Sequence, residues 1–320
     1  MDGTPVDLQP APLFAEIAQG PAGGEAHWVH TSDGLRIRAG HWRPEGEAKG
    51  TVLLFPGRTE YIEKYGTAAA EFAARGYATL TVDWRGQGLA GRMLAERRLG
   101  HVGHFTDFQK DVQALAALAA QLDLPRPWHL VGHSMGGAIG LRALIEGLEV
   151  NSCAFTGPMW GIQIPPLLRP LVRALGGIAP LLRLDERLLP TTALEQYVQI
   201  TPFEGNTLTT DPEMYKLMHA QLEAQPDLAL GGPTIQWLRV SLQECAELAA
   251  MPSPALPCIT FLGTDEQIVN PGAIHDRMNR WPGGELDLIK GGQHEVMMET
   301  PEIRAHVFSR MCRLFDQYSR

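Results

Sequence analysis

The sequence is short of positive charge. Lys and Arg total 27 against 36 Asp and Glu, giving a formal net charge of −9 over 320 residues. That argues against a nucleic-acid partner, which needs clustered Lys and Arg. Cysteine is sparse as well: Cys153, Cys245, Cys258 and Cys312 stand far apart with no C-x-x-C pairing. Such spacing offers neither a zinc site nor a disulfide framework, and it suits a reducing compartment. No stretch reaches the ~18 uninterrupted apolar residues of a spanning helix. The opening "MDGTPVDLQPAPLFAEIAQG" carries acidic residues and prolines where a secretory signal needs basic residues and an apolar run. The expected location is the cytoplasm. Nucleotide-loop signatures are also missing. No G-x-G-x-x-G follows an early strand, and no Lys-Ser/Thr follows Gly137.

What is present is a long alternation of strand and helix patterns. Residues 27–42 read as two strands around a Ser32-Asp33-Gly34 turn, and "GTVLLFPG" (50–57) and "YATLTVDW" (77–84) as short buried strands. Helical spacing fills "YIEKYGTAAAEFAARG", closed by Gly76, and "FTDFQKDVQALAALAAQL" (105–122). Trp128–Val131 and "SCAFTGP" (152–158) read as further strands, with a helix between them. The rhythm breaks over 161–245, which is rich in Pro, Leu and helix-like segments without a clear strand. It resumes with strands in "PCITFLG" (257–263) and "GELDLIKGG" (284–292) and a closing helix from about Pro301. The expected architecture is α/β, a mostly parallel doubly wound sheet, with residues 1–160 and 246–320 forming the core and 161–245 a helical insertion.

Between the strand at 128 and its helix stands "VGHSMGG", in which Ser134 lies in a G-x-S-x-G turn. The bare motif is a moderate signal; its strand–turn–helix setting strengthens it, because that is what a nucleophile elbow requires. Gly132 and Gly136 leave room for a strained turn that lifts the hydroxyl above the sheet. The amide of Met135, at the start of the helix, is then free to donate to an oxyanion. Serine is a poor nucleophile without a base and an orienting carboxylate. In α/β-hydrolases the chain order is Ser, acid, His, each following a strand. "FLGTDEQIV" puts Asp265 and Glu266 just past the strand at 257–263, and "LIKGGQHEV" puts His294 just past the last strand. Of the histidines following these acids, His275 and His306 lie in helix-like segments, which leaves His294 as the base.

The residues "FPGRTEYIEKY" (55–65), "VDWRGQGLAGR" (82–92), "GHVGHFTDF" (100–108), "VGHSMGG" (131–137) and "GTDEQIV…HDRM…GGQHEV" (263–296) together resemble the α/β-hydrolase superfamily, and within it the bacterial lysophospholipase and monoacylglycerol-lipase-like branch. The likeness runs from about residue 27 to the end and is weakest in the insertion. It implies a serine carboxylic-ester hydrolase acting on single-chain lipid esters through an acyl-enzyme, with no cofactor and no metal. It also implies a second oxyanion donor, the backbone amide of Arg58. One departure is that Pro56 precedes Gly57 where a histidine commonly stands; because the donor is an amide, loop stiffness changes more than chemistry. The resemblance places the acid three residues beyond Gly263, which is Glu266, with Asp265 as the second choice. It makes the insertion a lid. There Leu168, Leu171, Val172 and Leu175 recur at helical spacing with Arg169 and Arg173 between them, in a stretch without acidic residues. Such a face covers the site or meets lipid surfaces transiently. Two rivals remain: a proline-aminopeptidase-type peptidase, whose substrate amine needs acids such as those at 185–186 and 195–227, and a non-catalytic binding module of the same fold.

Overall fold

The computed structural model describes residues 8–164 and 184–319. The apolar lid stretch with Leu168, Leu171, Val172 and Leu175 lies outside the described residues. Nine strands among those described form one sheet in the order β1-β2-β3-β5-β4-β6-β7-β8-β9. They are β1 Gln9–Ala11, β2 Glu25–His30, β3 Arg36–Trp42, β4 Gly50–Phe55, β5 Tyr77–Asp83, β6 Trp128–His133, β7 Ser152–Thr156, β8 Cys258–Gly263 and β9 Glu285–Ile289. The first three pair antiparallel along one side, and β5 through β9 run parallel. The α/β reading therefore holds. Among the strands it lacked only β1, a three-residue edge strand containing Pro10 that leaves no periodicity to read, and it also lacked the one-turn helix α1 (Ala15–Ala18) that follows.

The parallel strands are buried on both faces, which is why they read as unbroken apolar runs rather than alternating ones. In β4, Val52 and Leu54 face one layer and Leu53 and Phe55 the other. The first layer holds helices α2 (Gly66–Ala73) and α9 (Pro301–Gln317), through Phe72, Phe308, Met311 and Phe315. The second holds α3 (Phe108–Gln121), α4 (Met135–Ile145), α7 (Ile235–Ala250) and α8 (Pro271–Asn279). Each fully buried Leu or Phe contributes about 1.5–3 kcal/mol, so both layers are well anchored.

From the insertion come two described helices, α5 (Tyr197–Ile200) and α6 (Pro212–Ala224). Asp211 caps α6 by accepting from the amides of Glu213 and Met214, with Pro212 at the first helical position. A small cluster of Val198, Tyr215, Met218, Leu222 and Leu228 closes on Tyr61 and Met298 of the main body. Helix α7 runs continuously through residue 245, the expected end of the insertion. Its Trp237, Leu238, Val240, Cys245 and Leu248 sit in the main core, so its packing is that of the core.

Candidate active site

The site is built at the carboxyl ends of the parallel strands, where open α/β sheets leave a crevice. β6 ends at His133 and α4 begins at Met135, so Ser134 alone makes the turn, at φ 50° and ψ −118°. A non-glycine residue there is strained and must be held. The Ser134 amide donates to the Thr156 carbonyl at 3.0 Å, and the Ser134 carbonyl accepts from the amides of Gly137 (2.9 Å) and Met159 (2.8 Å).

His294 and Glu266 come from two loops that the backbone stitches together. The Asp265 amide donates to the Gly292 carbonyl at 3.0 Å, and that of Thr264 to Ile289 at 3.0 Å. A Cβ on Gly263 would lie 2.2 Å from the Gly292 carbonyl oxygen, so only glycine permits this approach. Across the join, His294 Nδ1 lies 2.7 Å from Glu266 Oε2, and both side chains are buried. The other carboxylate oxygen accepts from the amides of Ile268 (2.6 Å) and Val269 (3.1 Å). Burial pushes the Glu266 carboxyl up, but His294 and these hydrogen bonds outweigh it and hold it below the usual range. An ionised Glu266 can only accept, so His294 Nδ1 is the donor of this hydrogen bond. Asp265, by contrast, is exposed, and among the described residues its carboxylate accepts only from the neighbouring Thr264 hydroxyl at 3.2 Å.

Ser134 and His294 line one cavity of about 690 Å³, together with Arg58, Met159, Ile162, Leu208, Leu230, Leu238 and Val269. No hydrogen bond joins the Ser134 hydroxyl to His294 among the described residues; such contacts tighten when substrate binds. The amides of Arg58 and Met135 have no acceptor among the described residues, leaving both free to donate. The loop bearing Arg58 is held from several sides. Trp84 Nε1 donates to the Pro56 carbonyl at 2.9 Å, and Gln87 Nε2 to that of Gly57 at 3.0 Å. The Thr59 amide donates to Gln87 Oε1 at 3.1 Å, and the Gly57 amide to Glu60.

Beneath the site lies a buried ionic cluster to which the sequence reading gave no role. Lys64 Nζ lies 2.5 Å from both Glu60 and Glu295. His133 Nε2 is 3.3 Å from Glu295 and 3.5 Å from Glu60, and its ring centroid is 4.9 Å from that of His294. Burial lowers the affinity of His133 for a proton, but Glu295 and Glu60 more than reverse this and raise its pKa above 6.5. The cluster joins the Gly57–Glu60 loop to the residue after His294. The only signal for it in the sequence was that its members fall inside the motifs "GRTEYIEKY", "GHSMGG" and "GGQHEV". Glu60, His133 and Glu295 have the donor types of a cation site, with the Lys64 ammonium already between the two carboxylates. A second such grouping, Glu25, His27 and His41, lies on β2 and β3 away from the cavity.

The serine aminopeptidase S33 profile matches residues 46–301. The chain belongs to that family. It is 30% identical over 327 aligned residues to lysophospholipase L2 of Escherichia coli, covering 96% of this chain and 93% of the relative. A monoacylglycerol lipase of Mycolicibacterium smegmatis is 30% identical over 151 residues, 46% of this chain and 52% of the relative. A crystal structure of a soluble variant of the monoglyceride lipase of Saccharomyces cerevisiae superposes with a TM-score of 0.71 at 20% identity, covering 99% of this chain and 97% of that one. The fold is that of the α/β-hydrolases.

Proposed function

We propose that the protein hydrolyses carboxylic esters of single-chain lipids, lysophospholipids or monoacylglycerols, with Ser134 as nucleophile, His294 as base and Glu266 as the orienting acid. The observation that carries this is a largely apolar cavity opening on both Ser134 and His294. His294 Nε2 takes the hydroxyl proton as Ser134 Oγ attacks the ester carbonyl carbon, and the amides of Arg58 and Met135 hold the oxyanion. Collapse breaks the bond to the alcohol, which leaves with the proton from His294. Water then gives a proton to His294 and attacks the acyl carbonyl, releasing the fatty acid and returning the proton to Ser134. Each oxyanion donor contributes on the order of 10²–10³ in turnover.

The insertion then acts as a lid over residues 161–245, with α7 seated in the core at its end. Exposed Tyr197 and Ile200 stand at the cavity wall, which supports transient contact with a lipid surface. All four cysteines are free and buried, and Cys153 stands opposite Cys258 across β7 and β8 without bonding. That supports a cytoplasmic location; no helix among the described residues is long and apolar enough to cross a membrane.

A peptidase reading needs an unpaired carboxylate to hold the substrate amine. Of the acids lining the cavity, Glu60 and Glu295 are committed to Lys64, which leaves exposed Glu195. A panel of long-chain lysophospholipid, matched monoacylglycerol and aminoacyl amides decides the matter. The lipid esters should exceed the amides in kcat/KM by about a hundredfold or more. Turnover of the aminoacyl amides without turnover of the lipid esters overturns the assignment.

A further inference from the structure

Arg58 carries a partly buried charge, its Nε fully enclosed, that no carboxylate among the described residues answers. Arg38 pairs with Glu63 and Asp83, Arg85 with Asp111, and Arg142 with Glu244. Arg277 lacks a carboxylate among the described residues, but the carbonyls of Leu248 and Met251 and the Ser253 hydroxyl take its donors. At Arg58, Nη2 donates to the Gly231 carbonyl at 2.6 Å, Nε is buried with no partner, and Nη1 has none among the described residues. Burial with nothing to offset it pulls the guanidinium pKa down to about 9, so the group is still charged at neutral pH. An unpaired cation that is largely withdrawn from water is costly to keep unless something pairs with it during function.

The guanidinium is held in place rather than free to swing. Its carbon stands 5.0 Å from the centroid of the Trp237 ring. A Cβ on Gly100 would lie 2.3 Å from Nη2, so the glycine leaves the space in which the group rests. Arg58 also lines the cavity that holds Ser134 and His294. We propose that the Arg58 side chain binds the phosphate of a single-chain phospholipid while its own backbone amide holds the ester oxyanion, which selects lysophospholipids over neutral monoacylglycerols. A planar guanidinium with free donors matches a phosphate oxygen pair. The reach fits as well. The path from an arginine amide nitrogen to its guanidinium carbon has as many bonds as that from a lysophospholipid ester carbonyl carbon to phosphorus. This inference rests on the ester-hydrolase reading above, because it takes the Arg58 amide as an oxyanion donor.

The test uses ligands that cannot be cleaved, so that binding is read apart from catalysis. A 1-O-alkyl-glycerophosphoethanolamine and the 1-O-alkylglycerol of the same chain are titrated calorimetrically below their micelle concentrations into the wild type, Arg58→Met and Arg58→Lys. The wild type should prefer the phosphate-bearing ether, Arg58→Met should lose about tenfold or more of that preference, and Arg58→Lys should keep part of it. Equal affinity of the wild type for the two ethers, or equal weakening of both by Arg58→Met, overturns the proposal. The two readings also fail separately. Phosphate-selective binding without hydrolysis of any ester refutes the function and leaves the phosphate site, whereas hydrolysis of both lipid classes with an Arg58-independent preference does the reverse.

Discussion

Ser134 can hold its strained φ because small neighbours let strand and helix close around it. A Cβ on Gly136 would lie 2.0 Å from the Phe55 carbonyl oxygen, and one on Gly132 would lie 2.9 Å from that of Gly136. Gly157 has the same office beside His294, the proposed base: its φ is +46°, and a Cβ there would lie 3.0 Å from His294 Nδ1 and 3.2 Å from Glu266 Oε2. Gly157→Ala should therefore fold but lose about tenfold or more in kcat, since small displacements of reacting groups are costly; kcat equal to wild type on a soluble ester would contradict this. The two adjacent carboxylates make a sharper comparison. Glu266→Gln should lower kcat on the order of 10³–10⁴-fold, while Asp265→Asn stays within a few-fold. The reverse ranking would make Asp265 the acid. Glu266 also leaves a mark on stability. Its folded pKa lies below 4.5, so its contribution is present above 4.5 and is lost as pH falls through the lowered value. Urea unfolding should show Glu266→Gln missing that part of the acid dependence. The family resemblance pointed to Glu266, three residues beyond Gly263, but the sequence held nothing about the burial that separates the two side chains.

At the scale of elements, the strands carrying the site were legible because each is a short apolar run bounded by glycine or proline, and the elbow because its glycines flank a lone serine. The support beneath the elbow was not legible. Glu60, Lys64, His133 and Glu295 come from three separate segments, and their meeting depends on how β4, β6 and the last loop stack, which no local pattern encodes. Lys64→Met removes the ammonium between two buried carboxylates and should cost about 3–5 kcal/mol, read as a fall in denaturation midpoint. His133 supplies a pH signature. Its folded pKa is raised, so its charged form stabilises fully below 6.5 and the contribution disappears as pH climbs through the raised value. The stability gap between wild type and His133→Gln should thus narrow with rising pH in denaturant titrations. A gap that is flat or widens contradicts the ionic role.

For the whole molecule, the proposed division of labour is between a sheet that positions Ser134, His294 and Glu266 and an insertion that walls the cavity. The chain pattern gave the expectation of an insertion over 161–245. Its end was harder to place, because α7 is amphipathic like the helices before it and only its packing on the core tells them apart. Ile200, the most exposed large apolar residue of the described insertion, lines the cavity and tests its outward role. Ile200→Asp should lower turnover of micellar lipid severalfold while a monomeric short-chain ester is hydrolysed at close to the wild-type rate; equal losses on both would refute contact with a lipid surface. The central claim is the acyl-enzyme at Ser134. Intact-mass spectrometry after exposure to a long-chain alkyl fluorophosphonate, followed by peptide mapping, reads it directly. A single adduct on the peptide containing Ser134, absent in Ser134→Ala and slowed by orders of magnitude in His294→Ala, is the expected result. No adduct on the folded wild type, or one that survives Ser134→Ala, would contradict it.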